Sequence, residues 1–285
     1  MDIIDMRCRP AFLHDFFGRT PGTPEYEVVK WLNGRVGTRG DLEHFTRSAT
    51  AEGLLAEIRD AGLAKAVVVG RHTPAQHLTN DAIHEIVSAS PLLEGIGAVD
   101  PEQLGPRATL AEIERAVTGL GLRGIDIEPG FGQPARHPDD PIYHPVYGLL
   151  QDLGAPVFLM TGPTTPDHRF NDPAPVANVA RAFPRLKIAV YHGYWPNVAQ
   201  IVGVAFRHEN VSIIPDMYLF QPGGELYVQA VNSFLGDQFL FGSSYPFRPI
   251  RQTIEDFQRL GFDEDRLPAL FSGNARRLLG LAGAE

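Results

Sequence analysis

The residues able to do chemistry cluster in five short polar stretches of the 285-residue chain. They are Asp5-Met6-Arg7-Cys8-Arg9, Asp126-Ile127-Glu128-Pro129-Gly130, Tyr191-His192-Gly193, Pro215-Asp216-Met217-Tyr218 and Gly242-Ser243-Ser244-Tyr245-Pro246. On an extended strand alternate side chains share a face, which predicts Asp5, Arg7 and Arg9 on one side and Cys8 on the other. Two guanidinium groups on one face can hold a carboxylate or dicarboxylate through bidentate hydrogen bonds. They can equally neutralise Asp5, Asp126, Glu128 or Asp216 in a buried ion network, since buried charges need partners. His192 is the natural acid/base because its unperturbed pKa lies near neutrality, and Glu128 and Asp216 are candidates for proton transfer or for positioning water. The bland alternatives are a structural histidine and, for Glu128 before Pro-Gly, a turn acceptor. Ser244, Tyr245 and Tyr218 can donate to a carbonyl oxygen. Ser244 has no neighbouring base and no Gly-x-Ser-x-Gly context, so it reads as a filler rather than a nucleophile. Glu128, His192 and Asp216 leave open an atypical carboxylate–histidine site for zinc or manganese.

Positioning these groups falls to the segments that precede them. Eight short apolar runs alternate with helix-patterned stretches: 3–9, 64–70, 95–99, 121–128, 155–161, 186–192, 210–216 and 238–243. Several are almost wholly apolar, as in Ala66-Val67-Val68-Val69, the signature of parallel strands covered outside by helices. Helices are predicted over 51–61, 110–120, 143–153, 198–207 and 225–235, with glycine stops at Gly62 and Gly154. A doubly wound open sheet competes, but no Gly-rich phosphate loop follows the first strand. Eight strand–helix units favour a closed (β/α)8 TIM barrel, whose ligands gather at the C-terminal ends of the strands. The whole chain, 1–285, reads as one such domain.

Residues 10–48 interrupt this rhythm with Gly, Pro, Phe12, Phe16, Phe17, Tyr26, Trp31 and Phe45. A long first strand–helix loop lies over the ligand face, where it serves as a lid, a dimer contact or a satellite core. A homo-oligomer is therefore one expectation for the chain. His72, after the second strand, is placed at the pocket edge; His14, His137 and His168 are placed in solvated loops. Tyr194-Trp195-Pro196 either stacks on a ligand or opens the next helix.

Bulk properties narrow the partners. A formal charge of −9 argues against nucleic acid or an anionic membrane as the main partner, but leaves room for a small anionic substrate met by a local basic cluster. The single cysteine, Cys8, cannot form an intrachain disulfide and suits a reducing compartment. No signal-like N-terminus and no membrane-length apolar run is visible, so a cytoplasmic location is expected.

Four strand-end motifs, in order and at barrel spacing, carry a resemblance to the amidohydrolase-related family 2. That family opens with Ile-Asp-x-His-x-His, then has a strand ending His-Thr-Gly, a His-Gly strand end and a final Gly-Ser-Asp-x-Pro. Here the matching stretches are Ile4-Asp5-Met6-Arg7-Cys8-Arg9, Leu159-Met160-Thr161-Gly162, Tyr191-His192-Gly193 and Gly242-Ser243-Ser244-Tyr245-Pro246, with a closing Asn274-Ala275-Arg276-Arg277-Leu278-Leu279. The resemblance implies a TIM barrel and the chemistry of metal-dependent decarboxylases, hydratases and lactonases of aromatic breakdown. The departures are chemical. Arginine offers donors alone, so Arg7 and Arg9 cannot replace the histidine ligands, and Met160 and Ser244 stand where a histidine and an aspartate belong. Of the expected ligands His192 remains, so the family's metal centre is not carried over. The resulting expectation is a hydrolase for a small carboxylate-bearing metabolite such as a lactone. Arg7 and Arg9 would anchor the carboxylate, and His192 with Asp216 or Glu128 would serve as acid/base. A decarboxylase, a hydratase or a non-catalytic organic-acid-binding barrel are the alternatives.

Overall fold

A computed structural model describes residues 1–10, 20–36 and 43–282. Seven parallel strands pair strictly in chain order: Ile4–Cys8, Lys65–Val69, Leu93–Ala98, Ile125–Ile127, Val157–Leu159, Ile188–Tyr191 and Val211–Ile214. Between most successive strands runs a helix whose apolar stripe faces the sheet; these include Ala51–Asp60, Asn80–Ser88, Pro106–Glu114, His144–Leu153, Ala174–Ala182 and Val198–Arg207. Threonine side chains cap two of the starts, Thr50 accepting from the Gly53 N–H and Thr79 from that of Ala82. Side chains alternate between two clusters. Ile4, Met6, Val67, Val69, Phe158 and Tyr191 fill the barrel interior, while Val68, Ile125, Val157 and Val190 meet the helices. Burial on both faces explains why the runs are continuously apolar.

The eighth position closes the barrel without a regular strand. The Ile213 N–H donates to the Gln238 carbonyl at 2.7 Å and the Leu240 N–H to the Ile213 carbonyl at 3.1 Å. On the other side the Met6 and Arg9 N–H groups donate to the Phe241 and Tyr245 carbonyls. The ladder stays broken because Ser244 adopts φ +60° and the Asp5 carboxylate replaces ladder partners. It accepts from the Ser243 N–H at 2.9 Å and from the Ser243 hydroxyl. The run 238–243 is thus a closing segment tied at isolated bridges rather than the expected strand.

The described parts of the long first loop lie over the C-terminal end of the barrel. Helix Pro24–Arg35 starts on the Thr23 side chain with proline in its first turn, and a second helix spans Glu43–Arg47. Val29, Leu32, Val36 and Phe45 pack with Met217, Tyr218 and Phe247 in a satellite core. His14, Phe12, Phe16 and Phe17 lie outside the described residues. Among the described residues no helix is long and apolar enough to cross a membrane.

Candidate functional site

A small cavity, with about 40 Å³ of room for the centre of a water molecule, opens at the C-terminal ends of the strands. Arg7, Arg9, Arg71, Met160, His192 and Ser244 form its floor and walls. Leu32, Phe131, Phe247 and the Tyr245 ring supply apolar cover.

The first strand delivers its arginines by an irregular route. Its register with the second strand shifts between Asp5 and Cys8. Ile4 and Met6 therefore face the interior, and Asp5 turns away with Cys8, whose thiol donates to Asp5 Oδ2 at 3.5 Å. The expected Asp5–Arg7–Arg9 face does not form; beyond the shift Arg7 and Arg9 both reach the cavity. Asp5 is structural, bonding the closing segment and the Arg7 N–H (3.0 Å).

Arg9 is saturated by the protein. Its guanidinium donates to the Val69 and Gly70 carbonyls at 3.2 and 2.6 Å and to Asp126 Oδ2 and Glu128 Oε1 at 3.3 and 3.1 Å. Arg71 meets Glu128 Oε2 at 2.8 Å and donates to Gln76 at 3.0 Å. Burial raises the Glu128 pKa, but Arg71, Arg9 and Arg7 together outweigh it and hold it below the ordinary value. Burial, then the Glu128 charge, push the Asp126 pKa well up. Arg9 is lowered to about 9 by burial and by Arg7, and remains a cation at neutral pH. Glu128, one of the expected proton-transfer candidates, is placed between Arg9 and Arg71 in an ion network.

Arg7 differs. Its side chain is buried, its Nη2 sits 3.7 Å from Met160 Sδ, and its guanidinium lies 5.1 Å from the centroid of the Tyr191 ring. Among the described residues it makes no ion pair, and Nε has no hydrogen-bond partner. Among the described residues three guanidiniums line the cavity, two of them backed by Glu128 and Asp126, a lining suited to an anion.

His192 forms the opposite wall. Its Nδ1 lies 2.8 Å from Asp216 Oδ1, while its backbone N–H donates to Asp216 Oδ2 at 3.2 Å. The carboxylate fixes the Nδ1–H tautomer and leaves Nε2 as the basic nitrogen. Burial lowers the His192 pKa against the raising effect of Asp216, with Arg7 and Arg9 adding to the lowering. The ring is a neutral base at pH 7. His192, Asp216 and Ser244 all sit at positive φ, +60°, +45° and +60°. Such strain persists where surrounding structure enforces it, often at functional sites. Thr161 helps enforce it, donating to the Tyr191 carbonyl at 2.6 Å and accepting from the Tyr194 N–H at 3.2 Å. Gly162, at φ +113°, leaves room for the imidazole, since a Cβ there would lie 3.2 Å from that of His192.

The remaining expected residues divide. Ser244 lines the cavity, buried and with no partner for its hydroxyl among the described residues. Tyr245 contributes its ring, but its hydroxyl donates to the His44 carbonyl at 3.1 Å and so fastens the loop instead of meeting a ligand. Tyr218 stands edge-on to His192 at 5.0 Å but faces an outer chamber. Asp216 sits behind His192, outside the cavity lining. His72 does not reach the cavity; it stacks on His77 at 3.8 Å. Arg71 was missed because it stands beyond the second strand, in a hairpin of His72–Thr73 with Gln76–His77. Its signal was the basic residue directly after Gly70.

A divalent metal does not fit this donor set. Among the described residues no three His, Cys, Asp or Glu side chains converge to hold an ion. Glu128 is turned to Arg9 and Arg71, and one ring nitrogen of His192 is held by Asp216, so the Glu128–His192–Asp216 site left open by sequence is not assembled. Residues 43–281 match the amidohydrolase family profile.

The chain belongs to the amidohydrolase family. Among solved structures it is similar to an uncharacterised TIM-barrel protein, Bb4693, from Bordetella bronchiseptica, with 30% identity, full coverage of both chains (100% each) and a TM-score of 0.89. It is also similar to 2,6-dihydroxybenzoate decarboxylase from Rhizobium, with 21% identity over 99% of this chain and 100% of that one and a TM-score of 0.67. A probable 2-pyrone-4,6-dicarboxylic acid hydrolase from Acinetobacter baumannii, with citric acid bound, aligns over 98% of this chain and 100% of its own, at 14% identity and a TM-score of 0.65. At such identities the last two show a shared fold. A search among curated proteins found no match.

Proposed function

We propose that this amidohydrolase-family chain is a hydrolase for a small carboxylate-bearing ring compound, such as a lactone, with Arg7 as the carboxylate anchor and His192 as the base. One observation carries the reading: a buried guanidinium without an ionic partner among the described residues shares a cavity with a neutral, Asp-oriented histidine. An isolated buried charge is costly, and a ligand carboxylate removes that cost while fixing its own orientation. His192 Nε2 takes a proton from water as the water oxygen attacks the carbonyl carbon. Asp216 stabilises the imidazolium, which then protonates the departing ring oxygen. The Ser244 hydroxyl is available to the carbonyl oxygen. Arg9 and Arg71 hold the wall and add positive potential. Tyr245 and Glu128 serve as scaffold.

Acidic compounds recur in the names of the Rhizobium and Acinetobacter proteins, which supports an organic acid as substrate. Hydrolysis is favoured over loss of the anchored carboxylate, because a guanidinium stabilises that carboxylate in the ground state more than the departing neutral CO2. The test is a pair of substrates, a carboxylated lactone and its methyl ester. Arg7→Ala raises KM for the acid at least tenfold more than for the ester; equal losses on both remove the anchoring role.

A further inference from the structure

The inner cavity borders a larger chamber, and Leu32 and Thr164 line both. The outer chamber is roomier, with about 430 Å³ of room for the centre of a water molecule against about 40 Å³ inside, and its walls include Trp31, Arg35, Trp195 and Tyr218. These aromatic rings form a shelf that begins at the base. The Tyr218 ring stands edge-on to His192 at 5.0 Å, and Trp195 stacks on Tyr218 at 5.4 Å with an interplanar angle of 6°. Trp195 is held in place by its indole N–H, which donates to the Pro222 carbonyl at 2.9 Å. Trp31, with 54% of its surface exposed, also lines this chamber. The two spaces differ in lining: buried guanidiniums in the inner one, and in the outer one aromatic rings together with Arg35, whose guanidinium lies 5.2 Å from the centroid of the Trp31 ring.

We infer that the substrate is elongated, an aromatic or similarly flat apolar body carrying its carboxylate at one end, rather than a compact acid that fits the inner cavity alone. The inference rests on the anchoring role of Arg7 proposed above. The acid end enters the Arg7–His192 cavity, and the body lies against Trp195 and Tyr218 and under Trp31. Aromatic residues recognise such a body by burial of its faces and by offset or edge contacts. Trp31, Trp195 and Tyr218 are then specificity-determining residues, while His192 does the chemistry.

Isothermal titration with four probes tests this: benzoate, biphenyl-4-carboxylate and the two corresponding primary amides. Biphenyl-4-carboxylate is expected to bind at least about tenfold more tightly than benzoate, the gain from one further buried ring. Trp31→Ala and Trp195→Ala each bring the ratio of the two dissociation constants toward one. Because Trp31 is exposed, its variant keeps the fold, which circular dichroism checks. Equal affinities for the two acids in the unmodified protein, or a ratio untouched by both tryptophan variants, overturn the inference. Acids and amides that bind equally, with the biphenyl preference retained, count against the Arg7 anchor and leave the outer chamber standing. The two failures are thereby distinguished.

Discussion

Arg7 and Arg9 lie two residues apart on one strand, yet the protein treats them in opposite ways. Around Arg9 every charge has a protein partner: two backbone carbonyls, Asp126, and a Glu128 shared with Arg71. Arg7 Nε and the Ser244 hydroxyl have no hydrogen-bond partner among the described residues, and both residues line a cavity with His192. A closed network builds shape. An open one can accept further partners. Burial alone does not separate the two, since Arg7 and Arg9 are equally hidden; the partner count does.

The sharpest way to break this contrast is to disable the open side at its base. His192→Asn is expected to lower kcat on the order of 10²–10⁴-fold, the range for loss of a general base, with Tm near that of the unmodified protein. Asp216→Asn, which disturbs the tautomer, falls in the same range. A mild effect of His192→Asn on a confirmed substrate places the chemistry elsewhere. Next come the two arginines, compared by denaturant unfolding. Arg9→Met strands the Glu128–Asp126 side and should destabilise by about 3–5 kcal/mol, whereas Arg7→Met, removing a charge with no ionic partner, is neutral or stabilising by about 1 kcal/mol. Equal losses erase the distinction. Gly162→Ala tests the seat of the imidazole, since strain at φ +113° and contact with His192 should cut kcat/KM at least tenfold while sparing acid binding to Arg7.

The pH profile sharpens the account more gently. His192 must be neutral to act as base, and its pKa in the folded protein lies below the ordinary value of 6.5 because burial disfavours its cation. On acidification kcat/KM should hold through pH 6.5 and fall only at lower pH. A fall centred above 6.5 contradicts a desolvated base. Ser244→Ala is expected to have the smallest effect. Its hydroxyl has no protein partner among the described residues, so Tm should hardly move, and kcat should drop by up to about tenfold, one hydrogen bond's worth.

Much of this was legible in the residues themselves. Alternating apolar runs and helical stretches implied the barrel, and the polar strand ends marked where Arg7, Arg9, His192, Asp216 and Ser244 would gather. Three things were not legible, each for a physical reason. The shift in register after Asp5 depends on pairing with a strand some sixty residues away, so period-two alternation misplaced Asp5. Glu128 looks the same in sequence whether it faces a ligand or two guanidiniums; Arg71, one of those guanidiniums, stands beyond the second strand. Tyr245 could have offered its hydroxyl to a ligand, but the His44 carbonyl of a loop two hundred residues earlier accepts it. Local pattern fixes which face a side chain takes, whereas the partner it finds there is a tertiary fact.

The most direct test is a crystal structure with an aryl carboxylate bound. The account predicts a carboxylate oxygen about 2.7–2.9 Å from a guanidinium nitrogen of Arg7, the span of a charge-assisted hydrogen bond, with the ring turned toward His192. A carboxylate seated away from Arg7, or an Arg7 swung out of the cavity onto a protein carboxylate, would contradict it.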